Sequence, residues 1–219
     1  MLRKTKKTVE GVALVSVVVF ATAAAGFNAT WTFLPGGAVT ATATEPIIGE
    51  DIQTGSFATC DTSVVKATAK SGSGLSGGDL VSIDEINFSD STTDDGRCPT
   101  ATGGASTLIP LGLPWKFSAQ SYDVATGTTK GVVTGVSVRS ESSDGCVVTW
   151  ARPGGAPGEV YISYTNSTGE IRIEEDGRNG SNLIAVDTRD CNPNDVSPGD
   201  QLRVSGAYVP DPLQKVTSP

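Results

Sequence analysis

The feature that most limits how this chain can fold is its two-residue rhythm. Beyond the N-terminal segment, no stretch a dozen residues long sustains a 3.6-residue apolar period, whereas short runs alternate apolar and polar. Successive side chains of a strand point to opposite faces, so this alternation marks strands buried on one side. In the run Trp115 to Tyr122, Trp115, Phe117 and Ala119 fall on one face, with Lys116, Ser118 and Gln120 on the other. After the turn residues Ala125 to Thr128, the run Val132 to Val138 returns, which predicts a hairpin. A second hairpin is predicted where Val160, Ile162 and Tyr164 precede the turn Thr165 to Gly169, followed by Ile171 and Ile173.

Further strands are predicted at Val39 to Thr44, Gln53 to Thr59, Ser63 to Ala69, Leu80 to Phe88, Cys146 to Trp150, Leu183 to Val186 and Gln201 to Val209. The last places Leu202, Val204 and Tyr208 on one face. With 26 Gly and 12 Pro as turn formers, the reading is all-β. It predicts a single antiparallel β-sandwich or β-barrel of about ten strands, preceded by a helical signal segment. The alternation does not separate sandwich from barrel. Residues 39–210 form the expected β-domain, with a lead-in at 26–38 and a C-terminal tail at 211–219. The Gly/Ser-rich stretch Ser71 to Gly78 reads as a long turn within the domain.

The N-terminus reads as an export signal. Arg3, Lys4, Lys6 and Lys7 precede an apolar stretch from Val12 to Ala25, closed by the small residues Ala23, Ala24 and Ala25. Residues 1–25 are therefore expected to be a signal peptide cleaved near Ala25, with Ala23 and Ala43 as alternative sites. The apolar stretch is shorter than the roughly 20 residues that span a bilayer. An uncleaved anchor is the competing reading, favoured by Phe27, Trp31, Phe33 and Leu34 just beyond. No stable membrane span is expected after cleavage. The net charge is −8, and without the first 25 residues 12 basic and 23 acidic residues remain, a net of −11. A surface of that sign repels phosphate backbones, which argues against nucleic acid as a partner.

Four cysteines, Cys60, Cys98, Cys146 and Cys191, all follow the signal, and an even count in an exported chain reads as disulfides. Three connectivities are open to them. We choose Cys60–Cys98 and Cys146–Cys191, which close nearby loops without interlacing the two halves; each would stabilise by roughly 4 kcal/mol at most. No C-x-x-C spacing occurs and histidine is absent, which removes the usual redox and zinc signatures.

Several segments carry a resemblance: Gly37 to Ala43, Lys70 to Gly77, Leu111 to Trp115, Thr134 to Val136, Tyr164 to Gly169 and Val216 to Pro219. Together they resemble a family of small secreted actinobacterial β-rich proteins with four cysteines and no assigned function. The acidic loops Asp90 to Asp95 and Asp190 to Asp200 depart from that pattern. The resemblance implies a secreted β-rich domain and supplies no catalytic residue.

Without histidine, Ser–His–Asp and Cys–His mechanisms lack their usual base. A pair of carboxylates suffices for glycoside hydrolysis, and Asp84, Glu85, Asp123, Glu170, Glu174 and Glu175 lie in or beside strands. Glu170 and Glu174 alternate opposite Ile171 and Ile173, as solvent-facing residues do. Alternate oxygen ligands at Asp190, Asn192 and Asn194, and the cluster Asp90, Asp94 and Asp95, fit calcium in outline. Turn chemistry explains both loops, so no metal and no cofactor is assigned. Among Trp31, Trp115, Trp150, Tyr122, Tyr161 and Tyr164, we expect Trp115 and Tyr164 in the core and Tyr161 on the surface. The sequons at Asn28, Asn87, Asn166 and Asn179 read as turn and strand chemistry.

The resulting expectation is an exported, non-catalytic β-domain acting as a structural or interaction module at the cell envelope or outside the cell. Its partner would be an envelope polymer or another secreted protein. The alternatives are a carrier of a small hydrophobic ligand within a β-barrel and, more remotely, a carboxylate-dependent glycan hydrolase.

Overall fold

The computed structural model describes residues 29–173 and 183–219. The expected signal peptide, Asn28, Glu174, Glu175 and Asn179 lie outside the described residues. Within them the chain is all-β, with 17 strands and no helix. Strand β1 (Thr30–Leu34) leads into the long β2 (Gly37–Asp51), then β3 (Phe57–Cys60), β4 (Thr62–Ala69), β5 (Gly72–Ser76) and β6 (Val81–Ser89). The middle of the chain supplies β7 (Cys98–Pro99), β8 (Ala105–Pro110), β9 (Trp115–Asp123), β10 (Thr128–Val136), β11 (Val138–Ser142) and β12 (Val147–Ala151). The remainder forms β13 (Gly158–Thr165), β14 (Glu170–Ile173), β15 (Ile184–Arg189), β16 (Leu202–Asp211) and β17 (Lys215–Thr217).

Eight of these strands close into an antiparallel barrel in the order β2-β4-β6-β9-β10-β13-β14-β16, with β16 pairing back onto β2. Closure removes the open edges that a sandwich of the same strands would have to protect. The predicted hairpins are both present, as β9–β10 and β13–β14. Register follows the alternation closely: Val39 lies beside Ala67, Ala41 beside Val65, Val81 beside Phe117, Phe117 beside Val133, and Val133 beside Val160. Every one of these faces the interior. Outward positions carry polar side chains, as in the exposed ion pairs Lys66–Glu85 and Arg172–Glu45. Such exposed pairs contribute little stability, and their value is as a marker of which wall meets water.

Strand β6 departs from strict alternation. A register shift opposite Lys66 and Ala67 inserts one extra residue in the Asp84–Glu85 region, so that Ile83 and Ile86 both line the interior. A bulge re-aims side chains in this way without breaking the ladder.

A second sheet, β7-β8-β11-β12-β15, adjoins one end of the barrel. Its two edges are tied back to the large sheet, one to β3 and the other to the start of β16. At one edge Ala58 bridges Thr100 and the Cys60–Cys98 disulfide ties β3 to β7. At the other, Ile184 bridges Gln201, and Leu202 donates its N–H to the Leu183 carbonyl at 3.0 Å. With β3 paired to the far half of β2, the strands run in a second ring that shares β2 and β16 with the barrel. Cys146–Cys191 closes the second disulfide, so both expected pairs are present. The length of β2 has this dual membership as its reason: Gly37 to Thr42 pair with β4 and Ile47 to Glu50 pair with β3.

The opposite end of the barrel is capped by a three-stranded sheet, β17-β1-β5. Trp31, Phe33 and Val216 are buried there, each contributing on the order of 1.5–3 kcal/mol by leaving water. The cap is locked by Asn166, whose Nδ2 donates to the Gly127 and Val216 carbonyls while its Oδ1 accepts from Val216 N–H. Tyr164 donates its hydroxyl to the Gln214 carbonyl, and Gln214 Oε1 accepts from Gly36 N–H at 2.9 Å. Thus strands occur within the segments expected as lead-in, tail and long turn. Three to five residues hold too little alternation to announce a strand, and their pairing is supplied by partners distant in sequence.

Candidate functional site

The two rings enclose one continuous cavity of about 650 Å³. It falls within the roughly 300–1,000 Å³ of ordinary ligand pockets. Its wall within the barrel is almost wholly apolar: Val39, Val65, Ile83, Phe117, Val133 and Ile162 contribute from six different strands. Tight packing is the norm in a protein interior, yet Val65, Ala67, Ile83, Ile162, Ile171 and Val204 are only half-buried. The reason is that the space they face is not filled by side chains. Small residues produce that space, since Ala41, Ala67 and Ala69 occupy inward positions of β2 and β4 where larger side chains would meet. Gly131 has the opposite reason for its size: a Cβ there would overlap the Phe117 ring and the Ser118 carbonyl oxygen.

Toward the second ring the wall becomes polar. Ser140 and Ser142 line it, and both hydroxyls reach the buried Ser106 behind the wall, at 2.5 Å from Ser140 and with Ser142 donating at 3.3 Å. The mouth is bordered by Ser56 and Phe57, the turn Thr100 to Gly104, the turn Ser142 to Asp144, and Asn192 to Val196. Phe57 is exposed at this rim, an apolar side chain beside the opening. The disulfide Cys146–Cys191 anchors two of these bordering segments to each other.

Asp51 is the most unusual group in the wall. It ends β2, lines the cavity and is only 3% exposed. Its Oδ1 accepts from the N–H groups of Gln53 at 2.9 Å and Thr54 at 3.1 Å, which shapes the turn into β3. Its Oδ2 has no N–H or O–H donor from the protein, and the carboxyl lies within hydrogen-bond reach of the Asp200 carboxyl, with which it can share a proton. Burial pushes the Asp51 carboxyl above its ordinary range, the Thr54 and Gln53 N–H groups oppose that rise, and the Asp200 carboxyl beside it adds to it. Among the described residues, Thr129 at the capped end is the other lining residue with a buried oxygen that lacks a hydrogen-bond partner. Buried polar atoms without partners are few in proteins, and each needs a reason.

The carboxylates considered for hydrolysis do not gather here. Asp84 accepts from Ser82 and Thr68, which with the Lys116 charge holds it below its usual range. Lys66 and Asn87 do the same for Glu85, and the Thr126 side chain and the Ala125 N–H for Asp123. Glu170 pairs with Arg172 on the outer wall. None of these four lines the cavity. In the two acidic loops, Asp90 accepts from Thr92 N–H and Asp61 N–H, and Asn192 Oδ1 accepts from Asn194 N–H, which is turn chemistry. Among the described residues no three acidic, cysteine or histidine side chains are grouped to hold a metal ion.

Of the aromatics, Trp115, Trp150 and Tyr164 line the cavity, Trp31 is buried in the cap, and Tyr161 and Tyr122 are half-buried. Trp115 and Tyr164 are thus in the core as expected. Asp51 had no sequence signal beyond its place in an alternating row with Ile47 and Gly49, and Pro46 interrupts that row.

No family model, no curated protein and no solved structure matches this chain. The resemblance to secreted actinobacterial proteins therefore rests on the sequence motifs alone.

Proposed function

We propose that this protein is an exported, non-catalytic carrier that holds a small hydrophobic ligand inside its barrel. The observation carrying this reading is the cavity of about 650 Å³, walled by valine, isoleucine and aromatic side chains and incompletely filled by them. An apolar space of that size contributes nothing to stability when empty, because its lining lacks dispersion partners on one side. A ligand supplies them. The distribution of polarity suits a soluble carrier, being apolar inside and charged outside, the inverse of a lipid-embedded barrel. Two disulfides fit an extracellular location. They stiffen the polar mouth while leaving the barrel wall unconstrained.

Native mass spectrometry of protein secreted into the medium and purified without detergent tests this reading. The expected result is an adduct that organic extraction removes, together with saturable uptake of an apolar fluorophore by the extracted protein. A consistently ligand-free mass combined with no uptake would refute it. An interaction module for an envelope polymer would then be the surviving reading, and binding to envelope fractions would decide it.

A further inference from the structure

We infer that the cavity selects an amphiphile whose head group donates hydrogen bonds, an ammonium best of all, and places that head against Asp51 Oδ2. The inference rests on the carrier reading and names the class of ligand. It is motivated by the asymmetry of the cavity wall. The barrel half offers a ligand mainly methyl, methylene and aromatic surface; beside the Thr129 hydroxyl near the cap, its polar groups are the Tyr164 and Tyr208 hydroxyls and the Gln214 amide, which are already committed to Gln214, Ser63, and Gly36 with Pro212. The other half offers hydroxyls and carboxylates: Ser140, Ser142, Asp51, Asp144 and Asp195. A chain lies in the first half and a polar head in the second.

The sign of the head follows from the groups it would meet. Asp51, Asp144 and Asp195 are acids, and among the described residues that line the cavity none is lysine or arginine. A fatty-acid carboxylate or a phosphate would lose its hydration there and face like charge. An ammonium or hydroxyl meets acceptors. Asp51 is the specific one, since it is 3% exposed, its Oδ1 is already used by Gln53 and Thr54, and the remaining neighbour of the carboxyl is the Asp200 carboxyl, which repels it unless a proton or a cation lies between them. A buried acceptor left unpaired is costly, and a donor brought by the ligand removes that cost. The neighbouring Asp200 carboxyl, whose oxygen accepts from Ser197 N–H, makes a cationic donor more favourable than a neutral one. Thr54 Oγ1 donates to the Asp195 carbonyl at 2.8 Å, which fixes the turn carrying Asp195 next to the turn after Asp51.

The test compares three ligands of one chain length at pH 7: dodecylamine, dodecanol and dodecanoate. Binding to the extracted full-length mature protein is followed by fluorescence of Trp115 and Trp150, both in the cavity wall, and by native mass spectrometry. The amine is expected to bind tightest and the carboxylate weakest, with at least about tenfold between them, the worth of one hydrogen bond to a charged group. In Asp51→Asn the amine is expected to lose about tenfold while dodecanol changes little. Equal or tighter binding of dodecanoate overturns the head-group assignment and leaves the carrier reading intact. An unchanged amine affinity in Asp51→Asn overturns the role of Asp51. Failure of all three ligands to bind overturns both. The comparison of ligands on the unmodified protein stands even where the variant does not fold.

Discussion

Replacing Ala67 by leucine tests whether the barrel is hollow. Ala67 sits on β4 between Val39 and Ile83, lines the cavity and is half-buried although it points inward. Leucine adds three carbons, worth about 0.8 kcal/mol each on burial, or about 2.4 kcal/mol in all. Fixing the longer side chain costs about 0.5–1 kcal/mol. The net is a stabilisation of about 1.5–2 kcal/mol, which for a domain of this size raises Tm by about 3–8 °C. If the interior were packed to ordinary density, the same carbons would force neighbours off their rotamers and destabilise by about 1–3 kcal/mol. The two cases differ in sign, so no fine calibration is needed. Urea unfolding followed by tryptophan fluorescence, with the disulfides intact, measures it. A loss of 1 kcal/mol or more in Ala67→Leu would mean that the space beside Val39 and Ile83 is filled. The barrel would then have no room for a ligand at that position. The variant is also expected to take up less apolar fluorophore.

Three further outcomes follow from the same structure. Asp51→Asn keeps the acceptor for Gln53 and Thr54 and removes a buried carboxylate, so it is expected to stabilise the ligand-free protein at pH 7 by about 1–3 kcal/mol. Because the native Asp51 pKa is raised, the native state holds the extra proton. The penalty is therefore absent below the ordinary carboxylate range and grows as pH rises through the native value, so the difference between variant and parent should vanish in acid. An equal difference at pH 3 and pH 7 by urea titration would contradict this. Replacing Cys146 and Cys191 together by serine opens a link across 45 residues and is expected to lower stability by about 2–4 kcal/mol, read from the urea midpoint under non-reducing conditions. Gly131→Ala drives a methyl into the Phe117 ring and a fixed carbonyl oxygen, and is expected to destabilise by about 1–3 kcal/mol in thermal unfolding.

The alternation of side chains made much of this protein legible from its amino acids. Trp115 and Phe117, Val160 to Tyr164, and Leu202 with Val204 declared their buried faces because the two-residue period is a local property of a strand. Both hairpins were readable for the same reason, each being closed by a turn within a few residues. The disulfide partners followed from nearness in the chain, and the polar outer wall from the charged alternate positions such as Glu170 and Arg172.

Tertiary structure alone decided the closure. Whether β2 meets β16, and so whether the strands form a barrel and not a sandwich, depends on pairing between residues at opposite ends of the chain. No local pattern encodes such a pairing. The same holds for the cap, where β1 and β17 gain partners only from each other and from β5. The cavity is further still from the sequence. Its volume is the difference between the width of the closed ring and the bulk of Ala41, Ala67, Ala69 and their neighbours, and a difference of that kind exists only once the ring has formed. Asp51 has no local signal of its own, and its carboxyl is buried beside Asp200 because β2 and the segment leading into β16 are brought together from distant parts of the chain.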